Sequence, residues 1–109
     1  MKKHCLALDL NEDPALIAEY EAWHQMVWPE VKESIIDSGI LNMEIFRTGN
    51  RLFMIMETDE SFSFERKSVM DEANEKVQEW ERLMWKFQQP LPWAKAGEKW
   101  ILMDKIFQL

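Results

Sequence analysis

Hydrophobic and polar residues alternate near the start of the chain, over residues 3–10. One side of this segment carries His4, Leu6, Leu8 and Leu10, and the other side carries Cys5, Ala7 and Asp9. A period of two predicts a β-strand, because successive side chains of a strand point to opposite faces. The chain is therefore expected to open with a strand that has one buried face.

A helical region follows, and it contains a break. Asp13 is a suitable N-cap, and Pro14 fits the first helical position, where its missing amide costs nothing. The helix is predicted to run through His24 and to be interrupted at Pro29, because proline lacks an amide donor and disfavours helical geometry at the preceding residue. A second helical piece is predicted over residues 30–37, ending at the Ser-Gly pair that follows it.

The firmest local prediction is a hairpin. Two largely apolar runs, residues 40–47 and 51–58, flank the sequence Thr48-Gly49-Asn50-Arg51. A Gly-Asn pair between two such runs is typical of a tight β-turn. Beyond it, residues 61–73 and 75–88 contain no proline and are rich in helix-forming residues, so they predict one or two helices. The expected N-cap of the first is Ser61 or Asp59, and Asn74 marks the joint.

With a last strand predicted over residues 98–107, the order is strand, helix, strand, strand, helix, strand. This order is typical of the α+β ferredoxin-like βαββαβ sandwich. A chain of 109 residues that is 47% hydrophobic can form one modest core, so we expect a single domain over residues 1–109. Because helices cover only one face of such a sheet, we expect a second copy to cover the other, giving a homodimer of the dimeric α/β barrel type.

Charge and composition argue against several partners. The chain has 20 acidic and 13 basic residues and a net charge of -7, so its surface would repel phosphate backbones, and nucleic acid is not an expected partner. No apolar stretch approaches the roughly 18–20 residues of a membrane span, and the N-terminal segment lacks a signal-peptide core. The one cysteine, Cys5, cannot form an internal disulfide. We therefore expect a cytoplasmic protein without a membrane partner.

Sequence signatures of cofactors are missing as well. The three glycines, Gly39, Gly49 and Gly97, are far apart and form no phosphate-binding loop. The two histidines and the cysteine do not have the spacing of a zinc site. We therefore expect no cofactor and no metal.

The best candidates for a site lie within residues 19–30. Tyr20 and His24 are four residues apart, so on a helix they share a face and can hydrogen-bond to one small ligand. Trp28 continues the spacing up to the proline. Histidine has an unperturbed pKa of about 6.5, which suits proton transfer near neutral pH. The spacing alone favours a histidine that only packs in the core, and Trp80 as part of a packing stripe.

The segment Glu-Tyr-x-x-x-His-x-x-x-Trp-Pro-Glu, residues 19–30, resembles the signature of the L-rhamnose mutarotase family, and the resemblance extends over nearly the whole chain. It implies a ferredoxin-like dimer that interconverts the α and β anomers of a free 6-deoxy sugar without a cofactor. It also implies that His24 donates a proton and that Tyr20 contacts the sugar. We further expect Trp80, with Trp28, to stack on the apolar face of the sugar.

Two positions depart from the rhamnose-binding pattern of that family. A tyrosine of the second strand is replaced by Met43, and a Trp-Trp pair on the last helix is replaced by Trp80-Glu81. Both positions are expected to contact the substrate, so the pocket is altered, and the chain resembles the L-fucose branch of the family more closely. Glu44 and Glu81 are the candidates for the group that exchanges protons together with His24.

Other functions remain open from the residues themselves. A dimeric ferredoxin-like domain with an aromatic lining could also be a cofactor-free monooxygenase acting on quinol-like substrates. It could instead be a non-catalytic sugar-binding dimer, or a purely structural dimer with His24 in its core. Acceleration of anomer exchange, dioxygen uptake or sugar binding without exchange would distinguish these functions.

Overall fold

A computed structural model describes the whole chain, residues 1–109. In chain order the elements are β1 (Lys2–Leu10), α1 (Pro14–His24), α2 (Pro29–Asp37), β2 (Ile40–Thr48), β3 (Arg51–Thr58), α3 (Phe64–Glu72), α4 (Glu75–Trp85), β4 (Gln88–Gln89) and β5 (Ile101–Leu102). The strands form one antiparallel sheet in the order β2-β3-β1-β4, and β5 also pairs with β1. The predicted α+β ferredoxin-like fold is confirmed.

The start and the break of the first helical region are where the sequence predicts them. Asp13 Oδ1 accepts a hydrogen bond from the amide of Ala15 at 2.9 Å, and Pro14 is the first residue of α1. Pro29 begins α2, so the chain makes two helices instead of one. None of the four helices is long and apolar enough to cross a membrane.

Gly39 ends the second helix and cannot be replaced without strain. Its φ angle is +99°, a left-handed conformation that favours glycine. A Cβ atom at this position would lie 2.6 Å from Asp59 Oδ1. The close approach of the β3–α3 connection to the end of α2 therefore depends on this glycine.

The predicted cap of α3 was wrong. Ser63, not Ser61 or Asp59, is the N-cap, and its Oγ accepts a hydrogen bond from the amide of Arg66 at 3.1 Å. The Asp59 carboxylate instead accepts hydrogen bonds from the amide and hydroxyl of Ser61. These bonds close a turn that delays the start of the helix. Asn74 is confirmed as the joint, since it caps α4.

The predicted last strand, residues 98–107, was also wrong in extent. Of the predicted segment, only β5 (Ile101–Leu102) pairs with β1, and this ladder ends where the Met103 amide donates to the carbonyl of Cys5 at 2.8 Å. The other end of the same edge is taken by β4, whose first residue, Gln88, falls within the predicted last helix. The edge of β1 is therefore divided between two short strands.

The helices cover one face of the sheet. The largest buried cluster on this face joins β1, β3, α1, α2 and α4; its fully packed members include Leu10, Tyr20, Leu52, Trp80 and Phe87. A second cluster lies nearer the other end of the strands and contains Leu6, Ile40, Met54 and Met56. The opposite face carries no helix, so apolar side chains such as Phe46 remain half-exposed there.

Candidate active site

A cavity of about 370 Å³ lies between the helices and the sheet face that they cover. This volume is within the usual range of small-molecule sites, about 300–1,000 Å³. Most of the lining side chains are apolar. The polar ones, apart from the phenol of Tyr20, are His24, Ser34, Lys67, Asp71, Glu81, Gln88 and Lys99. Such a wall suits a small molecule that combines apolar surface with several hydrogen-bonding groups.

His24, the last residue of α1, borders this cavity in a fixed orientation. Its Nδ1 lies 2.9 Å from the backbone oxygen of Tyr20, one helical turn earlier. Because a carbonyl oxygen only accepts, Nδ1 carries the hydrogen of this bond. The other ring nitrogen, Nε2, makes no hydrogen bond to the protein and is an acceptor when the ring is neutral. The helix backbone thus leaves Nε2 available to a ligand.

Tyr20 is buried beside His24, with the two ring centroids 4.5 Å apart. Gln88 Nε2 donates a hydrogen bond to the phenol oxygen at 3.3 Å, so the phenol is free to donate its own hydrogen. Burial raises the pKa of Tyr20 above its ordinary value, and the hydrogen bond with Gln88 lowers it by less. Tyr20 is therefore a neutral donor in the wall of the cavity.

Trp80, on α4, is the centre of an aromatic cluster. Its ring packs edge-on against His24 at 5.8 Å and against Trp28 at 5.2 Å between centroids. Trp23 makes a similar contact at 6.3 Å. Trp80 lines the cavity, whereas Trp28 does not. Trp28 thus reaches the site through its contact with Trp80.

The two altered positions both face the cavity. Met43 contributes to its wall from β2, and Glu81 contributes from α4. Glu81 is half-buried and makes no ion pair or hydrogen bond through its side chain. Glu44, the other carboxylate considered from the sequence, is exposed and lies next to Met43 in the strand, so it points to the opposite face of the sheet. Of the two carboxylates, the structure brings only Glu81 to His24's cavity.

Sequence reasoning missed most of the cavity wall, and four of the missed residues have polar or aromatic side chains that bear on its chemistry. Lys67 and Asp71 form an ion pair on α3, Gln88 holds Tyr20 from β4, and Trp100 precedes β5. An i,i+4 Lys-Asp pair is common on solvated helices, and no signal in the sequence marks this one as inward-facing. The sequence places Trp100 within the predicted last strand but does not indicate which face of the sheet its side chain occupies.

No group of three or more His, Cys, Asp or Glu side chains is arranged to hold a metal ion. The polar groups of the cavity are instead single donors and acceptors on an apolar wall. They can bind hydroxyl groups and move protons between a ligand's oxygen atoms.

Comparisons with known proteins find similar sequences and similar folds. The family model described as L-rhamnose mutarotase matches residues 3–109. An L-fucose mutarotase from Xanthomonas campestris is 46% identical over 111 residues, which cover 100% of this chain and 89% of that protein. The crystal structure of an L-rhamnose mutarotase from Formosa agariphila has a TM-score of 0.74 at 21% identity, covering 100% of this chain and 99% of that one. Tetracenomycin F2 cyclase from Streptomyces glaucescens, with a TM-score of 0.62 and 15% identity over 100% of this chain and 99% of that one, shares the fold alone.

Proposed function

Because the chain is an isomerase of the L-rhamnose mutarotase family, we propose that it interconverts the α and β anomers of a free 6-deoxyhexose, with L-fucose preferred to L-rhamnose. The preference is supported by the relative that is 46% identical and carries the name L-fucose mutarotase. It is also supported by Met43 and Glu81, which alter the cavity wall at the two positions where the rhamnose-binding pattern has aromatic residues. We expect the enzyme to act in the cytoplasm.

The observation that carries this proposal is the free Nε2 of His24. Mutarotation opens the hemiacetal ring, lets the aldehyde rotate about its bond to carbon 2, and closes the ring on the other face. Ring opening removes a proton from the anomeric hydroxyl and delivers one to the ring oxygen. His24, held through Nδ1 by the Tyr20 carbonyl, can give or accept that proton at Nε2.

A second group must act together with His24, and Glu81 is the candidate that the cavity offers. In ring opening, the His24 imidazolium gives its Nε2 proton to the ring oxygen while the Glu81 carboxylate takes the proton of the anomeric hydroxyl. Ring closure runs the same transfers in reverse, so no net proton is consumed. Glu81 fits this role because its carboxylate lines the cavity and has no protein partner.

The remaining groups orient the sugar. Tyr20, kept neutral by burial and oriented by Gln88, donates a hydrogen bond to a sugar oxygen. Trp80 offers an aromatic surface to the apolar face of the ring, and Trp28, which does not line the cavity, packs edge-on against Trp80. Met43 provides apolar contact where a tyrosine would add a second hydroxyl.

The test is the exchange rate between the anomers of L-fucose and of L-rhamnose, measured by NMR saturation transfer with and without the protein. We expect acceleration of both, with the greater kcat/KM for L-fucose. Acceleration of neither sugar would contradict the proposed reaction. Saturable binding without acceleration would instead identify a non-catalytic sugar-binding protein.

We also propose that the active protein is a homodimer joined through the helix-free face of the sheet. Phe46 is 50% exposed on this face, and its ring lies 6.5 Å from that of Phe53 on the next strand. A second copy would bury these apolar side chains. Sedimentation velocity should show a dimer that Phe46→Glu converts to a monomer. Ile36→Glu, at an exposed position on α2, is the matched control and should leave the dimer intact.

A further inference from the structure

Helix α3 contributes to the cavity wall an ion pair that the proposed reaction does not use. Lys67 Nζ lies 2.6 Å from Asp71 Oδ2, and the two side chains are only 22% and 14% exposed. In each of the other four ion pairs, one partner is at least 46% exposed. The pair on α3 is therefore the one whose two charges are both largely removed from solvent.

This pair leaves much of its hydrogen-bonding capacity unused. An ammonium group has three donors and a carboxylate has about four acceptor sites. Lys67, however, donates only to Asp71, and Asp71 Oδ1 has no protein partner. Half-buried ion pairs add little net stability, because the cost of desolvation offsets the attraction. A role in binding accounts for the pair better than a role in holding the fold.

The position of the pair also points to a ligand. The cavity that His24 borders adjoins a second, more polar recess, and four residues line both: Phe64, Lys67, Asp71 and Glu81. Tyr20, His24 and Gln88 line only the first of the two. The cavity thus has one polar group on the α1 side, which performs the proton transfer, and another on α3, with Glu81 bordering both.

We propose that Lys67 and Asp71 bind two neighbouring hydroxyls of the 6-deoxyhexose and determine which stereoisomer the enzyme accepts. This inference rests on the proposed function. One hydroxyl accepts a hydrogen bond from the Lys67 ammonium, and its neighbour donates to Asp71 Oδ1. L-fucose and L-rhamnose differ in configuration at carbons 2 and 4, so a donor and an acceptor fixed side by side meet different oxygens in the two sugars. A site built to bond hydroxyls discriminates strongly against a misplaced one, because its polar groups are then left unpaired.

The experiment measures the binding of L-fucose and L-rhamnose by isothermal titration calorimetry and, on the same samples, the exchange of their anomers by NMR. Lys67→Met removes the donor and keeps an unbranched side chain that is one atom shorter. We expect it to weaken L-fucose binding about 10- to 100-fold, as loss of a hydrogen bond from a charged group does. KM should rise in proportion while kcat changes much less, and the ratio of the affinities for the two sugars should move toward one.

Lys67→Met leaves Asp71 half-buried without its partner, so a second variant guards against misfolding. The double substitution Lys67→Met with Asp71→Leu replaces the whole pair by apolar side chains, which is close to neutral for stability. It should retain the melting temperature and still lose affinity and selectivity. Glu79→Gln breaks the exposed Lys76–Glu79 pair on α4 and is the control, because neither residue of this pair lines the cavity. It should change neither the affinity for L-fucose nor the selectivity between the two sugars.

Folded variants that bind both sugars within about twofold of the unmodified protein would overturn this inference. So would an unmodified protein that binds no 6-deoxyhexose. If the unmodified protein binds L-fucose without exchanging its anomers, the proposed reaction fails, but the affinities of the variants still decide the role of the pair.

Discussion

The two histidines of the chain occupy similar surroundings and differ in one respect that matters for chemistry. His4, on β1, is half-buried with its ring centroid 5.1 Å from that of Phe64 and 5.7 Å from that of Phe62. His24 is half-buried with its ring 4.5 Å from that of Tyr20 and 5.8 Å from that of Trp80. Burial and aromatic contacts therefore do not distinguish the catalytic candidate from the packed residue.

What distinguishes the two residues is where their nitrogens point. His4 Nε2 lies 3.3 Å from the hydroxyl of buried Thr58, and a hydroxyl both donates and accepts, so it does not select a tautomer. His24 Nδ1 bonds to a carbonyl oxygen, which only accepts, so this bond selects the tautomer with its hydrogen on Nδ1. His24 also lines the cavity, whereas His4 does not. A defined tautomer with a free nitrogen beside empty volume is the feature that suits proton transfer.

The largest expected effect breaks this comparison directly. His24→Gln should slow anomer exchange about 100- to 10,000-fold, the usual contribution of a general acid or base. His4→Gln is the matched control, and its rate should stay within about twofold of the unmodified protein. NMR saturation transfer gives both rates, and melting temperatures show that both variants fold. Equal losses in the two variants would mean that the cavity around His24 has no special role.

The next effect concerns Trp80, an aromatic ring beside His24. Trp80→Phe keeps an aromatic side chain but shrinks the surface offered to the sugar, so KM for L-fucose should rise about 10-fold, equivalent to about 1.4 kcal/mol. Trp85→Phe, on the same helix but 41% exposed and outside the cavity, is the control and should have no effect. A change in KM of the same size in both would assign the effect to the stability of α4, not to the sugar site.

A smaller effect is expected at Tyr20, the other ring that contacts His24. Tyr20→Phe removes one neutral hydrogen bond to the sugar, so kcat/KM should fall about 2- to 12-fold, which corresponds to about 0.5–1.5 kcal/mol. The backbone carbonyl that holds His24 is unchanged by this substitution. The fall should therefore appear without a change in the hydrogen bond at His24 Nδ1, and the NMR chemical shifts of the His24 ring nitrogens would check this. Shifted nitrogen signals would show that the phenol acts through His24.

The local elements could be predicted from the sequence because each depends on neighbours in the chain. Asp13-Pro14 begins a helix, Pro29 divides it, and Gly49-Asn50 reverses the strand, whatever surrounds them. The family signature similarly brought Tyr20 and His24 together, since residues four apart share a helix face. These predictions needed no tertiary contact.

The parts that could not be predicted depend on pairing and packing between distant segments. The start of the last strand was placed too early because Gln88–Gln89 occupies the β1 edge at Asp9 and Leu10, where residues 98 and 99 would otherwise pair. Lys67 and Asp71 were not recognised because their inward direction follows from the packing of α3 against α4. In the same way, only the assembled sheet separates Glu81, in the cavity, from Glu44, on the open face.

The smallest effect tests the burial of the ring that packs on His24. Burial raises the pKa of Tyr20 in the folded protein, whereas the unfolded chain should titrate near 10. Above that pH the unfolded state binds fewer protons than the folded state, so the free energy of unfolding falls as pH rises through the folded pKa. The contribution of Tyr20 to stability is therefore fully present below pH 10 and is lost at higher pH. Tyr20 is the only tyrosine in the chain, so its phenolate absorbance reports this group alone. The folded protein should develop that absorbance at higher pH than the unfolded chain, and Tyr20→Phe should lose less stability between pH 9 and pH 11, about one unit on either side of the unfolded pKa. Coincident titration curves in the folded and unfolded states would show that the phenol is solvated and that the wall beside His24 is open to water.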